Sequence, residues 1–157
     1  MPNKLNAAEK NCDNNFGTSF YRQITYLNRL RRKFMAKKLK DYGLKGSMYM
    51  FMSSLERNPG ANQDFLVARF IMDKGNVART AKKLEDLEYI VREIDPQDRR
   101  QYKLYLTEKG MQLVPIIREY LTEWGDALCE NFSEEEKSLA TAYLERMIEN
   151  SMKNIES

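Results

Sequence analysis

The amino-acid sequence predicts a mainly α fold with one small β-hairpin, and three observations carry that prediction. Apolar residues recur at spacings of three and four over two long stretches near the ends of the chain, as amphipathic helices require. Between them lie short helical segments opened by capping residues. The period then changes to two across a pair of segments rich in β-branched and aromatic residues, separated by a polar loop. At 157 residues the chain has room for one core. Residues 1–157 are therefore read as one domain, with a lobe at about 44–107 and flanking helices at about 14–43 and 108–157.

Residues 1–13 are polar, show no period and read as a loosely held arm. Phe16, Phe20, Ile24, Leu27, Leu30 and Phe34 then fall on one helical stripe. This first helix should stop near Tyr42, because Gly43 can take the left-handed conformation and Leu44 can close the cap's hydrophobic contact. Ser47 begins the next, where Met48, Phe51, Met52 and Leu55 sit at i, i+3, i+4 and i+7 before Asn58-Pro59-Gly60 ends it. Asn62 caps a third helix carrying Phe65 and Leu66. Asp73 caps a fourth with Val77, Ala81, Leu84 and Leu87 on one side. Tyr89–Ile94 and Gln101–Leu106 read as the hairpin, with Asp95–Arg100 as its loop. Thr107 caps a fifth helix bearing Val114, Ile117, Leu121, Trp124 and Leu128, in which Pro115 predicts a bend or irregular first turns. A capping box, Ser133 with Glu136, opens the last helix, whose apolar face comprises Ala140, Tyr143, Leu144, Met147 and Ile148.

Composition narrows function. No apolar run approaches the roughly 18 residues a membrane span needs, and the first residues resemble no signal peptide, so a cytoplasmic protein is expected. Two cysteines and no histidine cannot make a zinc site, and neither metal nor cofactor is expected. The missing histidine also removes the commonest general base, which argues against an enzyme. Cys12 and Cys129 adjoin Asp13 and Glu130, so unreactive thiols are expected rather than redox sensors. Net charge is only +3, but its distribution is uneven. Arg22–Lys45 holds nine basic residues and one acid, whereas Thr107–Ser157 holds five basic residues and eleven acids. That suits a part facing phosphate joined to a part kept away from it, a solvated basic helix being the competing reading.

Helix, tight turn, helix and hairpin is the order of a winged helix-turn-helix, whose second helix enters the DNA major groove. At 100° per residue, Val77, Ala81 and Leu84 share one side of the fourth helix, while Gly75, Asn76, Arg79, Lys82 and Lys83 share the other. Arg, Asn and Lys are the residue types that read base edges. Gly75 would let backbone amides approach a phosphate. Arg99 and Arg100 stand where a wing can reach a narrow minor groove. Asp98 is expected to pair with and orient an arginine, a solvating loop charge being the alternative.

The segment Asp73-Lys74-Gly75-Asn76-Val77-Ala78-Arg79-Thr80, the run Lys83-Leu84-Glu85, the wing Asp95-Pro96-Gln97-Asp98-Arg99-Arg100 and the exit Leu106-Thr107-Glu108-Lys109-Gly110 together resemble the signature of the MarR family of bacterial transcriptional regulators. The resemblance runs from about Phe16 onward. It implies a homodimer joined by its terminal helices, a fourth helix reading operator DNA, Arg100 in the minor groove, and in many relatives a small, often aromatic, ligand. The sequence departs from the pattern at Glu88, where similar sequences carry a glycine that ends the reading helix.

The expectation is thus a cytoplasmic homodimeric regulator, a repressor binding an inverted-repeat operator in double-stranded DNA. Its DNA-facing residues are Lys74, Gly75, Asn76, Arg79, Thr80, Lys82, Lys83, Asp98, Arg99 and Arg100. Phe16, Phe20, Ile117, Leu121, Trp124, Leu128, Leu144 and Ile148 are expected to dimerise. Tyr26, Met48, Phe51 and Met52 are candidates to line a small-molecule pocket, although methionines so placed also suit a core. The alternative is a ligand-binding or interaction module on the same scaffold, with weak or no sequence-specific DNA binding.

Overall fold

A computed structural model describes residues 16–156; the polar arm and Cys12 lie outside them. Six α-helices and one antiparallel hairpin occur in the order α1 (Phe16–Lys38), α2 (Met48–Arg57), α3 (Gln63–Phe70), α4 (Lys74–Asp86), β1 (Ile90–Ile94), β2 (Tyr102–Leu106), α5 (Glu108–Leu128) and α6 (Glu134–Glu156). The chain divides into two compact units, one ending at Arg118 and one running Glu119–Ser157. No described helix is long and apolar enough to cross a membrane.

The predicted caps form. Asn62 Oδ1 accepts from Phe65 N–H at 2.8 Å, and Asp73 Oδ1 from Asn76 N–H at 2.8 Å. Ser133 and Glu136 exchange both capping-box bonds. Thr107 Oγ1 accepts from Gly110 N–H and donates to Glu88 O, tying the start of α5 to the end of α4.

The first helix ends earlier than its sequence predicts. The α-helix stops at Lys38, and a 3₁₀ turn over Lys40–Tyr42 leads to Gly43 at φ 70°. Glycine is the cap as predicted, but the chain tightens before reaching it, the common form of a final turn. Nor do irregular first turns appear around Pro115: residues 108–128 form one α-helix, because a proline there removes a single donor while neighbouring turns keep theirs.

The core of the first unit is built as the periodicity requires. Phe51, Met52 and Leu55 from α2, Leu66 from α3, Val77, Ala81 and Leu84 from α4, and Leu104 from β2 are almost wholly buried. Each of these side chains larger than alanine contributes about 1.5–3 kcal/mol on leaving water. Phe51 stacks on Phe70 with ring centroids 5.1 Å apart. Leu113, Val114 and Ile117 bury the first half of α5.

The hairpin pairs Ile90 with Leu106 and Ile94 with Tyr102. The α2–α3 connection adds a backbone bridge that the sequence did not disclose. Leu104 N–H donates to Ala61 O at 3.1 Å, and Gly60 N–H to Leu104 O at 3.0 Å. The middle of β2 is thereby fastened to the helical lobe.

α4 ends in a Schellman cap: Glu88 N–H donates to Glu85 O at 2.8 Å and Tyr89 N–H to Leu84 O at 2.9 Å. Glu88 takes φ 61°, the left-handed conformation that glycine adopts without a Cβ penalty. Gly110 meets a different constraint, since a Cβ there would overlap the carbonyl oxygen of Tyr89.

Candidate nucleic-acid interface

α4 is held by one face and free on the other. Val77, Ala81 and Leu84 have no accessible surface, whereas Lys74, Gly75, Asn76, Arg79, Lys82 and Lys83 are exposed and Thr80 is half-buried. The N-terminal turn is organised by its cap. Asp73 Oδ1 takes the Asn76 backbone N–H, the Asn76 side-chain amide donates to Asp73 Oδ2, and Asn76 Oδ1 accepts from Arg79 at 2.6 Å. The Asn76 backbone N–H holds the Asp73 carboxyl below the usual range, helped by the Asn76 amide and the Arg79 charge. A Cβ at Gly75 would lie 3.2 Å from Asp73 Oδ1, so glycine relieves crowding around this chain of bonds.

The cations differ in availability. Lys74 pairs with Asp64 of α3 at 2.9 Å. Lys82 lies 2.9 Å from Asp86 and 3.4 Å from Glu85, and their hydrogen bonds raise its pKa above the ordinary lysine value. Phosphate must compete with two carboxylates for Lys82. That pairing was legible as an i, i+4 spacing along α4. Glu85 also reaches Arg92 of β1 at 3.3 Å, a contact between α4 and the hairpin that no local pattern announces.

In the wing, Asp95 Oδ1 caps the turn by accepting from Gln97 N–H at 2.9 Å, and this bond, with Lys103 at 3.4 Å, keeps its carboxyl low. Asp98 does not pair with a guanidinium. Its Oδ1 accepts from the Arg100 backbone N–H and its Oδ2 from the Gln101 amide, both at 3.0 Å, because an aspartate in a turn reaches the amide two residues on more readily than a long side chain. Arg99 and Arg100 are exposed, and neither side chain pairs with another described residue.

The other predicted residues separate. Met48, Phe51 and Met52 lie inside the core, while Tyr26 on α1 is exposed. Ile117 is also wholly buried within the chain and has no surface for a partner. Phe20, Leu121 and Trp124 are half-buried, Leu128, Leu144 and Ile148 exposed, and the side chain of Phe16 falls outside the described residues. Cys129 is a free, half-buried thiol.

A capped helix anchored by its apolar face, a basic outer face and a hairpin carrying two arginines define the winged helix-turn-helix class of DNA-binding protein. Residues 47–102 match the profile described as MarR family. The HTH-type transcriptional regulator YybA of Bacillus subtilis (strain 168) is 32% identical over 111 residues, covering 71% of this chain and 74% of that one. A MarR transcriptional regulator from Methanosarcina mazei Go1 superposes with a TM-score of 0.83 at 36% identity, covering 87% of this chain and 98% of that one. At 24% identity, where only the fold is shared, a MarR-type protein from Listeria monocytogenes complexed with a 26mer DNA gives a TM-score of 0.79, covering 85% and 89%. The chain belongs to the MarR family. It is a transcriptional regulator with a DNA-binding fold, and its relatives are regulators rather than enzymes.

Proposed function

We propose that the protein is a homodimeric repressor that binds an inverted-repeat operator in double-stranded DNA, with α4 reading base edges and Arg99 and Arg100 entering the minor groove. The observation that carries this reading is the division of α4 into a fully buried apolar face and an exposed face bearing Asn76, Arg79 and Lys83. Arginine can take guanine O6 and N7 together, and asparagine can take adenine N6 and N7. The DNA held by the Listeria relative of the same fold agrees with it.

Dimerisation is supported by apolar surface on the terminal helices. On α6, Leu139, Tyr143, Leu144, Ile148, Met152 and Ile155 are all exposed. Six large apolar residues along one helix exceed the scatter normal for a monomer surface. A two-fold axis would place the two α4 helices about one DNA turn apart, roughly 34 Å, and so require an inverted repeat. Repression follows because a bound dimer occludes the duplex without needing a further contact. A small effector is the finer part of the proposal. Tyr26 offers open surface, while Met48, Phe51 and Met52 would admit a ligand only by parting α2 from its neighbours.

Selection of duplexes from a random-sequence pool, followed by titration of Arg79→Ala against the selected and random duplexes, tests the reading. Loss of about 1–3 kcal/mol on the selected duplex, with relaxed preference at one base pair, is expected. Equal loss on both duplexes would restrict Arg79 to phosphate contact. Light scattering at micromolar concentration checks the dimer, and a monomer that binds the selected duplex tightly would refute it.

A further inference from the structure

We propose that Gln101 is a positioning residue for Arg100, the middle of a side-chain relay running from the N-terminus of α3 to the tip of the wing. The inference rests on the preceding reading, in which Arg100 meets the minor groove. Asn62 caps α3 by accepting from Phe65 N–H through Oδ1, which leaves its Nδ2 to donate to Gln101 Oε1 at 2.5 Å. With its oxygen committed, Gln101 turns Nε2 toward Asp98 and donates to Oδ2 at 3.0 Å. The second carboxylate oxygen, Oδ1, accepts from the Arg100 backbone N–H at 3.0 Å.

Each bond dictates the polarity of the next. The α3 cap requires the oxygen of Asn62, so its nitrogen must face Gln101, whose own nitrogen must then face a carboxylate. Neither amide can flip without losing both of its bonds. Asn62, Gln101 and Asp98 are all half-buried. Backbone bonds to Gly60 and Ala61 hold β2 only at Leu104, and the relay extends that attachment to the turn beyond it.

The side chains of the wing arginines have no fixing contact among the described residues, so their direction depends on the backbone of this turn. A guanidinium presented from a pinned turn loses less freedom on binding than one on a loose loop. Gln101 accepts from Asn62 and donates to Asp98, and those bonds lead on to the Arg100 backbone N–H, so the relay acts on DNA through Arg100.

The test compares Arg100→Ala, Gln101→Ala and the double variant on a duplex selected by the unmutated protein, with hydroxyl-radical and guanine-N7 footprints and thermal melting. Arg100→Ala is expected to weaken binding on the order of tenfold. Gln101→Ala is expected to weaken it about threefold, and the double variant should bind no more weakly than Arg100→Ala, because residues acting through one another do not add. Gln101→Ala should lose minor-groove protection at the flanks and keep guanine protection beneath α4. Asn62→Asp keeps the α3 cap but cannot donate to Gln101, and should reproduce Gln101→Ala without lowering the melting temperature. Unchanged binding by Gln101→Ala, multiplication of the two losses to about thirtyfold, or joint loss of both protections would overturn the relay. Unchanged binding by Arg100→Ala would refute the wing reading itself and the relay with it, a result distinguishable from failure of the relay alone.

Discussion

Replacing Glu88 with glycine should stabilise the protein, although it deletes a side chain and an ion pair. Glu88 sits at φ 61° at the end of α4, and a side chain in that conformation costs roughly 1–2 kcal/mol relative to its right-handed alternatives. Glycine removes the cost but gains about 0.4–1 kcal/mol of unfolded-state entropy. The Glu88 carboxylate lies 3.7 Å from Lys109 Nζ with 83% of its side chain exposed, so solvent screening leaves that pair about 0–0.5 kcal/mol. The balance favours Glu88→Gly by about 0.5 kcal/mol, because the Schellman bonds of Glu88 N–H and Tyr89 N–H belong to the backbone and survive. For a chain of this size the melting temperature should rise by about 1–2 °C. Calorimetry at fixed protein concentration measures it, since the proposed dimerisation would make melting concentration-dependent. A melting temperature unchanged or lowered would refute the strain argument and imply that Glu88 supports the α4–α5 junction more than it burdens it.

Gly110→Ala should do the opposite. The new methyl group would overlap a backbone carbonyl that also accepts from Thr107 N–H, so a loss of about 2–4 kcal/mol is expected in urea titration. Asp86→Asn should strengthen DNA binding several-fold and steepen the salt dependence by up to about one phosphate's share, because it releases Lys82 from its nearer carboxylate; unchanged titrations at two salt concentrations would show that Lys82 does not reach DNA. The Asp73 carboxyl is held low in the folded chain, so its contribution is complete above the ordinary aspartate value of 3.8 and fades as pH falls through the lower folded value. Urea midpoints of the unmutated protein and Asp73→Ala should therefore converge below that value and remain apart at neutral pH.

What could be read from the sequence were features whose partners lie within one helical turn. The caps at Asn62 and Asp73, and the box of Ser133 with Glu136, bond three residues ahead, so spacing alone specified them. The two faces of α4 followed from the helical period, and the hairpin from its change to two. The end of α4 near Glu88 was implied by the family resemblance, in which a glycine stands there, whereas the left-handed conformation of Glu88 is a finding of the structure. Lys82 with Asp86 was equally local and could have been recognised from its spacing.

Contacts between distant segments were decided by tertiary structure. Ala61 bridges Leu104 and Asn62 meets Gln101 because α2, α3 and β2 pack around one core, and no period or motif encodes a pairing 39 positions apart. Burial was settled at the same level. Met48, Phe51 and Met52 are buried in the core and Ile117 turned inward, because an apolar stripe specifies only that a face leaves water and not what covers it. Asp98 differs in that its partners are local, but a turn offers an aspartate both backbone amides and guanidinium groups. Only the folded backbone, which brought the Arg100 N–H within 3.0 Å, chose between them. Sequence thus determined the elements and their faces through local bonding and periodicity, whereas the surfaces left open and the orientation of the wing depend on packing between segments far apart in the chain.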